Sequence, residues 1–284
     1  MITEGMNLDD IIINALSEDI GDGDHTTRST IPASAMGRAR LLIKEDGILC
    51  GMHVAEKIFS HVDQGLRLTS FLNDGDIIVV GDIAFEVSGK ISSILQSERL
   101  VLNFMQRLSG IATATNKLVT LIEGFHARIL DTRKTTPLLR ELEKYAVRKG
   151  GGMNHRIGLY DMILIKDNHV DYSGGIVRAI DSVQSYLKAN SKDLKVEIEV
   201  RDFSELQQVL DHGRVDRIML DNFSHADLKK AVKLIGGSFE TEASGGINEK
   251  NIRDYAATGV DFISVGALTH HIQSLDMSLK ALRD

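Results

Sequence analysis

The chain has 284 residues, 43% of them apolar, with 33 Lys or Arg against 40 Asp or Glu. That length allows one large α/β barrel or two domains, and the composition excludes a disordered chain. The net charge of −7 argues against a nucleic-acid-binding protein. The charge is uneven, however: residues 128–170 hold nine Lys or Arg and five Asp or Glu, for +4, so the remainder carries −11. One basic segment in an acidic chain points to a local site for a small anion.

The single cysteine, Cys50, can form neither an intrachain disulfide nor a cysteine-built zinc site. It reads as a small buried apolar residue and fits a reducing cytoplasm. The opening MITEGMNLDD has no basic region and no apolar stretch, so no secretory signal is expected. No membrane span is expected either, since no apolar run approaches the roughly 20 residues it needs.

In chain order, Leu8, Ile11, Ile12, Ala15 and Leu16 recur at helical spacing, and the helix breaks at Gly21–Asp24. From about 37 to 94 the texture is that of strands and turns. Arg38–Ile43, Ile77–Val80 and Ile83–Val87 are strand candidates, with a strong turn at Asn73–Asp76. A long helix is predicted from near Ser97 through Ile122, interrupted at Ser109-Gly110. Then short apolar runs alternate with helical patterns. The runs are 127–130, 162–165, 195–200, 217–220, 239–243 and 262–265; the helical stretches are 137–149, 173–189, 203–212, 224–235 and 248–257. This rhythm implies parallel strands joined by right-handed crossovers. Six such units without a Rossmann fingerprint favour an incomplete barrel over an open doubly wound sheet; a full eight-unit barrel needs about 250 residues. The expected division is an α+β domain over 1–108, a barrel over 109–270, and a final helix over 271–284 packing back on the first domain.

Nearly every strand candidate of the second half ends in a charged or Gly-rich step: Asp131–Thr136, Lys166–His169, Glu197 and Glu199, Asp221-Asn222, Glu242–Gly246 and Gly266. In a parallel barrel these ends converge on one face, where the site lies. Arg133, Lys134, Arg156 and Lys166 suit carboxylates and phosphates. Glu199 and Asp221 are hard oxygen ligands suited to magnesium. Ser244-Gly245-Gly246, opening a helix near 248, suits a phosphate. Each has a plainer alternative: Ser-Gly-Gly as a tight turn, Asp221 as a helix cap, His155 as a structural histidine, Gly150–Gly152 as a helix C-cap. Arg140, Lys144, Arg148 and Lys149 read as a solvated helix face, and His270-His271 as surface or packing residues.

Taken together, the strings EDIGDGDHTT (18–27), SERLVLNFMQRLSGIATAT (97–115), DTRKTTP (131–137), KGGGMNHRIGLYDMILIKDNH (149–169), EIEV (197–200), LDNF (220–223), EASGGI (242–247) and SVGA (264–267) resemble the quinolinate phosphoribosyltransferases. They cover most of the chain; His25 departs from the apolar residue expected there. The resemblance implies an N-terminal α/β sandwich domain followed by an incomplete TIM-like α/β barrel. It implies the reaction of quinolinate with phosphoribosyl pyrophosphate (PRPP), giving nicotinate mononucleotide, pyrophosphate and CO2 for NAD biosynthesis. It also implies a homodimer or higher homo-oligomer, in which Arg99 reaches the neighbouring subunit's pocket. By the same analogy Arg133, His155, Arg156 and Lys166, with Arg99, line the quinolinate pocket. Lys134, Glu199 and Asp221 hold PRPP and carry the catalysis, the two acids through Mg²⁺; Ser244, Gly245, Gly246 and Gly266 bind its 5′-phosphate, and Thr132 is a further substrate-binding residue. No organic cofactor is expected. Three rivals share part of this pattern: a related family recruited for molybdenum uptake, a silent phosphate-ligand binder, and a transferase that uses nicotinate directly.

Overall fold

The computed structural model describes residues 7–282, so the expectation for residues 1–6 lies outside the described residues. The chain forms two compact units. One takes the described residues up to Asn116, then Thr136–Gly151 and the segment from His271; the other takes Lys117–Thr135 and Gly152–His270.

The first unit opens with α1 (Leu8–Ile20), capped reciprocally by Asn7 and Asp10, and α2 (His25–Thr30), capped by Asp24. Then come β1 (Met36–Ile43), β2 (Gly47–Ile48), α3 (Met52–Val62), β3 (Arg67–Ser70), β4 (Ile77–Ile78) and β5 (Ile83–Lys90). No element was predicted over α2, and α3 lies where strands and turns were predicted. The cap of α3 is tertiary: Asp74, in the turn before β4, accepts from Gly51 N and Met52 N at 2.8 and 2.9 Å. The ring of Phe59 on α3 meets Phe85 of β5 edge-on at 5.7 Å.

The long helix α4 runs unbroken over Ile91–Leu121. It starts six residues before the predicted Ser97, and the expected boundary at 108/109 falls inside it. The predicted interruption at Ser109-Gly110 is absent because both residues serve packing. Ser109 Oγ accepts from Cys50 N and donates to Cys50 O, at 2.9 and 3.1 Å. Gly110 lets the 271–275 segment close on the helix: a Cβ there would stand 2.1 Å from Gln273 O.

In the second unit β6 (Arg128–Leu130) begins a parallel sheet; α5 (Arg140–Lys149) follows it in sequence but belongs to the first unit. The sheet continues with β7 (Ile163–Ile165), α6 (Asp167–Ser173), α7 (Ile176–Ala189), β8 (Val196–Val200), α8 (Phe203–His212), β9 (Arg217–Asp221), α9 (His225–Ile235), β10 (Glu240–Ser244), α10 (Ile252–Ala256), β11 (Phe262–Ser264) and α11 (Ala267–His270). Strand order is β6-β11-β10-β9-β8-β7. Sequence order thus runs without reversal from β7 to β11, and the first strand lies beside the last. A doubly wound sheet reverses direction; this arrangement is that of a TIM-like barrel left open between β6 and β7. Met153 bridges to Leu130 on the free side of β6. Along β8, Val196, Ile198 and Val200 alternate with Glu197 and Glu199, so the two acids share one face.

The expected helix over 271–284 is instead β12 (Met277–Ala281), pairing antiparallel with β1; residues 283 and 284 lie outside the described residues. It completes the sheet β12-β1-β5-β3. Met277 and Leu279 are buried while Ser278 is partly exposed, the period of two that a sheet edge imposes.

Glycine inside a helix ordinarily costs about 1 kcal/mol relative to alanine, so Gly→Ala should stabilise. Gly110→Ala is expected to do the opposite, because its methyl must displace a backbone carbonyl; a loss of about 2 kcal/mol is expected from overpacking. Thermal unfolding checks this, and a Tm equal to or above wild type would contradict the packing role.

Candidate active site

The strand ends of the second unit enclose a cavity of about 690 Å³. Twelve of the thirteen residues proposed from sequence line it. From the end of β6 come Thr132, Arg133 and Lys134; from the segment after α5, His155 and Arg156; from β7, Lys166. From β8 and β9 come Glu199 and Asp221, and from the ends of β10 and β11, Ser244, Gly245, Gly246 and Gly266. Arg99 is the exception: it is exposed on α4 and does not line the cavity.

The cationic segment is held by hydrogen bonds that its sequence supplies. Asp131, fully buried at the end of β6, accepts from His155 N at 2.8 Å and from Asn154 Nδ2. Thr132 Oγ1 accepts from Lys134 N, and Thr269 Oγ1 donates to Lys134 O at 2.7 Å. Within the first unit, Arg107 bridges Glu143 Oε1 and Thr136 Oγ1, fixing the next step of that loop. Glu143 and Lys144 are fully buried, which corrects the reading of Lys144 as part of a solvated face. Gly150 is the C-cap of α5 and also packs on α4, where a Cβ would stand 2.3 Å from Ala112 O.

Lys166 Nζ donates to Glu199 Oε2 at 3.1 Å. Burial raises the Glu199 carboxyl above its ordinary range, against the pull of Lys166 and with the repulsion of Asp221. Asp221 accepts from Ser244 Oγ and from Asn222 Nδ2. Burial and the neighbouring Arg133 lower the affinity of Arg156 for its proton, and Glu197 opposes them. The helix predicted to open near 248 opens at Ile252 and is five residues long. What faces the cavity at Gly245 and Gly246 is therefore a loop, not a helix end.

Beside the cavity lies a buried charge cluster only partly foreseen. His155 Nε2 is 2.8 Å from Glu197 Oε2 and 3.6 Å from Glu242 Oε2. Arg217 Nη1 lies 3.1 Å from Glu242 Oε2, and its guanidinium stacks on the Phe262 ring at 4.0 Å. These three groups, His155, Glu197 and Glu242, are the one set among the described residues with metal-ligand chemistry and spacing, and Arg217 already supplies positive charge there. Burial pushes Glu197 up to about 7 and, with the repulsion of Glu197, Glu242 up to about 8. Glu242, Asn222 and His270 line the cavity but were not chosen from sequence. For Glu242 the signal was available: like Glu197, it is an acid in the middle of a strand of the parallel sheet.

A carboxyl raised on folding favours the protonated native state. Its stabilising contribution is complete at low pH and fades as pH climbs from about 4.5 through about 8. Glu242→Gln, which stays neutral, should therefore gain Tm relative to wild type as pH rises from 5 to 9. A difference that stays constant across that range would contradict the burial argument.

Two family models match: the quinolinate phosphoribosyl transferase N-terminal domain over residues 24–109 and its C-terminal domain over 111–280. Quinolinate phosphoribosyltransferase (decarboxylating) 1b of Nicotiana tabacum is 46% identical over 96% of this chain and 82% of its own length. The chloroplastic nicotinate-nucleotide pyrophosphorylase (carboxylating) of Arabidopsis thaliana is 46% identical over 95% and 81%. Among solved structures, the nicotinate-nucleotide pyrophosphorylase from Francisella tularensis superposes with a TM-score of 0.90 at 41% identity, covering 97% of this chain and 96% of that one. With both domains matched and the barrel site assembled, this chain belongs to the quinolinate phosphoribosyltransferase family.

Proposed function

We propose that this chain transfers the phosphoribosyl group of PRPP to quinolinate and releases pyrophosphate and CO2, forming nicotinate mononucleotide for NAD biosynthesis. The observation that carries the reading is the gathering of Arg133, Lys134, Arg156 and Lys166 with Glu199 and Asp221 around one cavity. Quinolinate brings two adjacent carboxylates, and guanidinium forks are the side chains that hold such groups in a fixed orientation. Arg133, Arg156 and Lys166, with His155, serve quinolinate; Lys134 and the loop at Ser244-Gly245-Gly246 serve PRPP, joined by Thr132 and Gly266.

The ring nitrogen attacks the ribose carbon as pyrophosphate departs, and Glu199 and Asp221 offset the positive charge that develops on the ribose. Holding two anionic reactants in line is itself a large part of the rate. Afterwards the bond from C2 to its carboxylate breaks, CO2 leaves, and the electron pair stays on C2 beside the cationic nitrogen until a proton replaces the carboxylate. Glu199 and Asp221 also fit Mg²⁺: they are hard oxygen donors on neighbouring strands, and Asp221 helps raise the Glu199 carboxyl. When bound there, Mg²⁺ would supply charge neutralisation to the leaving pyrophosphate. The chemistry requires no organic cofactor.

The site is completed in a homodimer or larger homo-oligomer, where Arg99 reaches the partner subunit's cavity. Its exposure and its position outside its own subunit's cavity lining support that role. The lone buried Cys50 supports a reducing compartment such as the cytoplasm. Among the described residues no helix is long and apolar enough to cross a membrane.

One experiment tests pocket and sharing together. Arg133→Ala should lower kcat/KM for quinolinate about 100-fold or more, as expected for removing a bidentate charged contact. Mixed with Arg99→Ala chains, it should regain activity, because one site of each mixed dimer then holds both arginines. Wild-type kinetics in Arg133→Ala would remove that residue from the pocket. Verified mixed dimers without recovery would refute the sharing of Arg99.

A further inference from the structure

Three successive carbonyls at the end of β10 are each held by a donor elsewhere in the second unit. Ser244 O accepts from Asn222 N at 3.0 Å. Gly245 O accepts from Tyr255 Oη at 3.3 Å. Gly246 O accepts from both Asn248 Nδ2 and Asn251 Nδ2, each at 3.1 Å. The tethers are themselves fixed. Asn251 Oδ1 accepts from Asn248 N at 2.8 Å, and buried Tyr255 meets the His225 ring edge-on at 4.5 Å.

In a trans peptide the carbonyl and the following amide point in opposite directions. Tying these three carbonyls back therefore turns the amides of Gly245, Gly246 and Ile247 the other way. All three residues line the cavity, and among the described residues none of these amides donates to the protein. Gly245 and Gly246 have φ of 103° and 63°, conformations that a side chain would strain. Three amides turned together form an anion-binding concavity.

We propose that Tyr255 and Asn251, neither of which lines the cavity, are positioning residues that aim the amides of Gly245, Gly246 and Ile247 at the 5′-phosphate of PRPP. This rests on the phosphoribosyltransferase reading above. The two side chains act on the phosphate end of the site alone, through the carbonyls they hold, and leave the quinolinate cations untouched.

The test measures KM for PRPP, KM for quinolinate and the calorimetric affinity for ribose 5-phosphate, which carries the phosphate without the pyrophosphate. Tyr255→Phe and Asn251→Ala should each weaken PRPP and ribose 5-phosphate roughly threefold, and the double variant about tenfold, as expected for lost neutral hydrogen bonds. KM for quinolinate should stay at its wild-type value, which general loosening of the barrel would not allow. Wild-type phosphate affinity in the double variant, or an equal loss for quinolinate, would overturn the proposal. Gly246→Val separates the two levels of the argument. If it too keeps wild-type affinity for ribose 5-phosphate, the loop is not the phosphate site and the proposal falls with that reading. If Gly246→Val loses affinity while the double variant keeps it, the loop binds phosphate and only the positioning role is overturned.

Discussion

An acid stripped of water must find a cation or keep its proton. Glu197 and Glu242, both fully buried inside the barrel, meet that constraint with Arg217 and His155 at their side. The consequence reaches the cavity, because Glu197, together with Asp161, favours the charged form of Arg156. A cavity holding several cations would repel itself and draw in any anion. Glu197 beside Arg156 and Glu199 beside Lys166 offset part of that repulsion and leave the cavity able to take a ligand whose negative charges sit close together. The same logic separates the two ends of the site. Glu199 and Asp221 face the cavity on neighbouring strands, where a sugar carbon turns positive in the proposed reaction, while Arg133, Arg156 and Lys166 face it where the two carboxylates of quinolinate would lie.

The loop at Ser244–Ile247 solves a different problem. In the proposed site it would recognise an anion without a charged side chain, because its carbonyls are held back and its amides are left over. A lysine or arginine there would compete with the quinolinate pocket for both substrates, whereas neutral dipoles are selective through geometry. In the proposed reaction, side-chain charge would hold the pyridine end and backbone amides would hold the 5′-phosphate.

Much of the barrel was legible because β6, β7, β9 and β11 read as short continuous apolar runs, whereas β8 and β10 carry acids and were placed by the strand–helix rhythm. Each of the six parallel strands lies within two residues of its predicted position, and each ends near the charged step assigned to it. The losses have physical causes. α3 depends on Asp74, a cap distant in sequence, and local propensity contains nothing of that contact. α4 runs through Gly110 because the helix needs close approach there, a demand made by the 271–275 segment. β12 is built from residues that tolerate helix, and its pairing with β1 overrides that tolerance. At the site, His270 was read as a surface or packing residue, because it follows Gly266 on a four-residue helix too short to show a pattern. Glu242 was seen as a strand-end acid, but its contact with His155 and Arg217 requires three separate segments to meet. Arg99 could be chosen only through family resemblance, since its own surroundings are those of an exposed helix charge.

The proposed reaction needs the cation cluster, the loop at Ser244–Ile247 and the loss of a carboxylate to act together. The most direct measurement supplies the purified chain with PRPP, Mg²⁺ and quinolinate labelled in its 2-carboxylate, with nicotinate as a parallel substrate. Labelled CO2 released in equal amount with nicotinate mononucleotide, and no turnover of nicotinate, is the expected result. Folded protein that binds PRPP and releases no label, or that converts nicotinate instead, would contradict the assignment of the cation cluster to quinolinate.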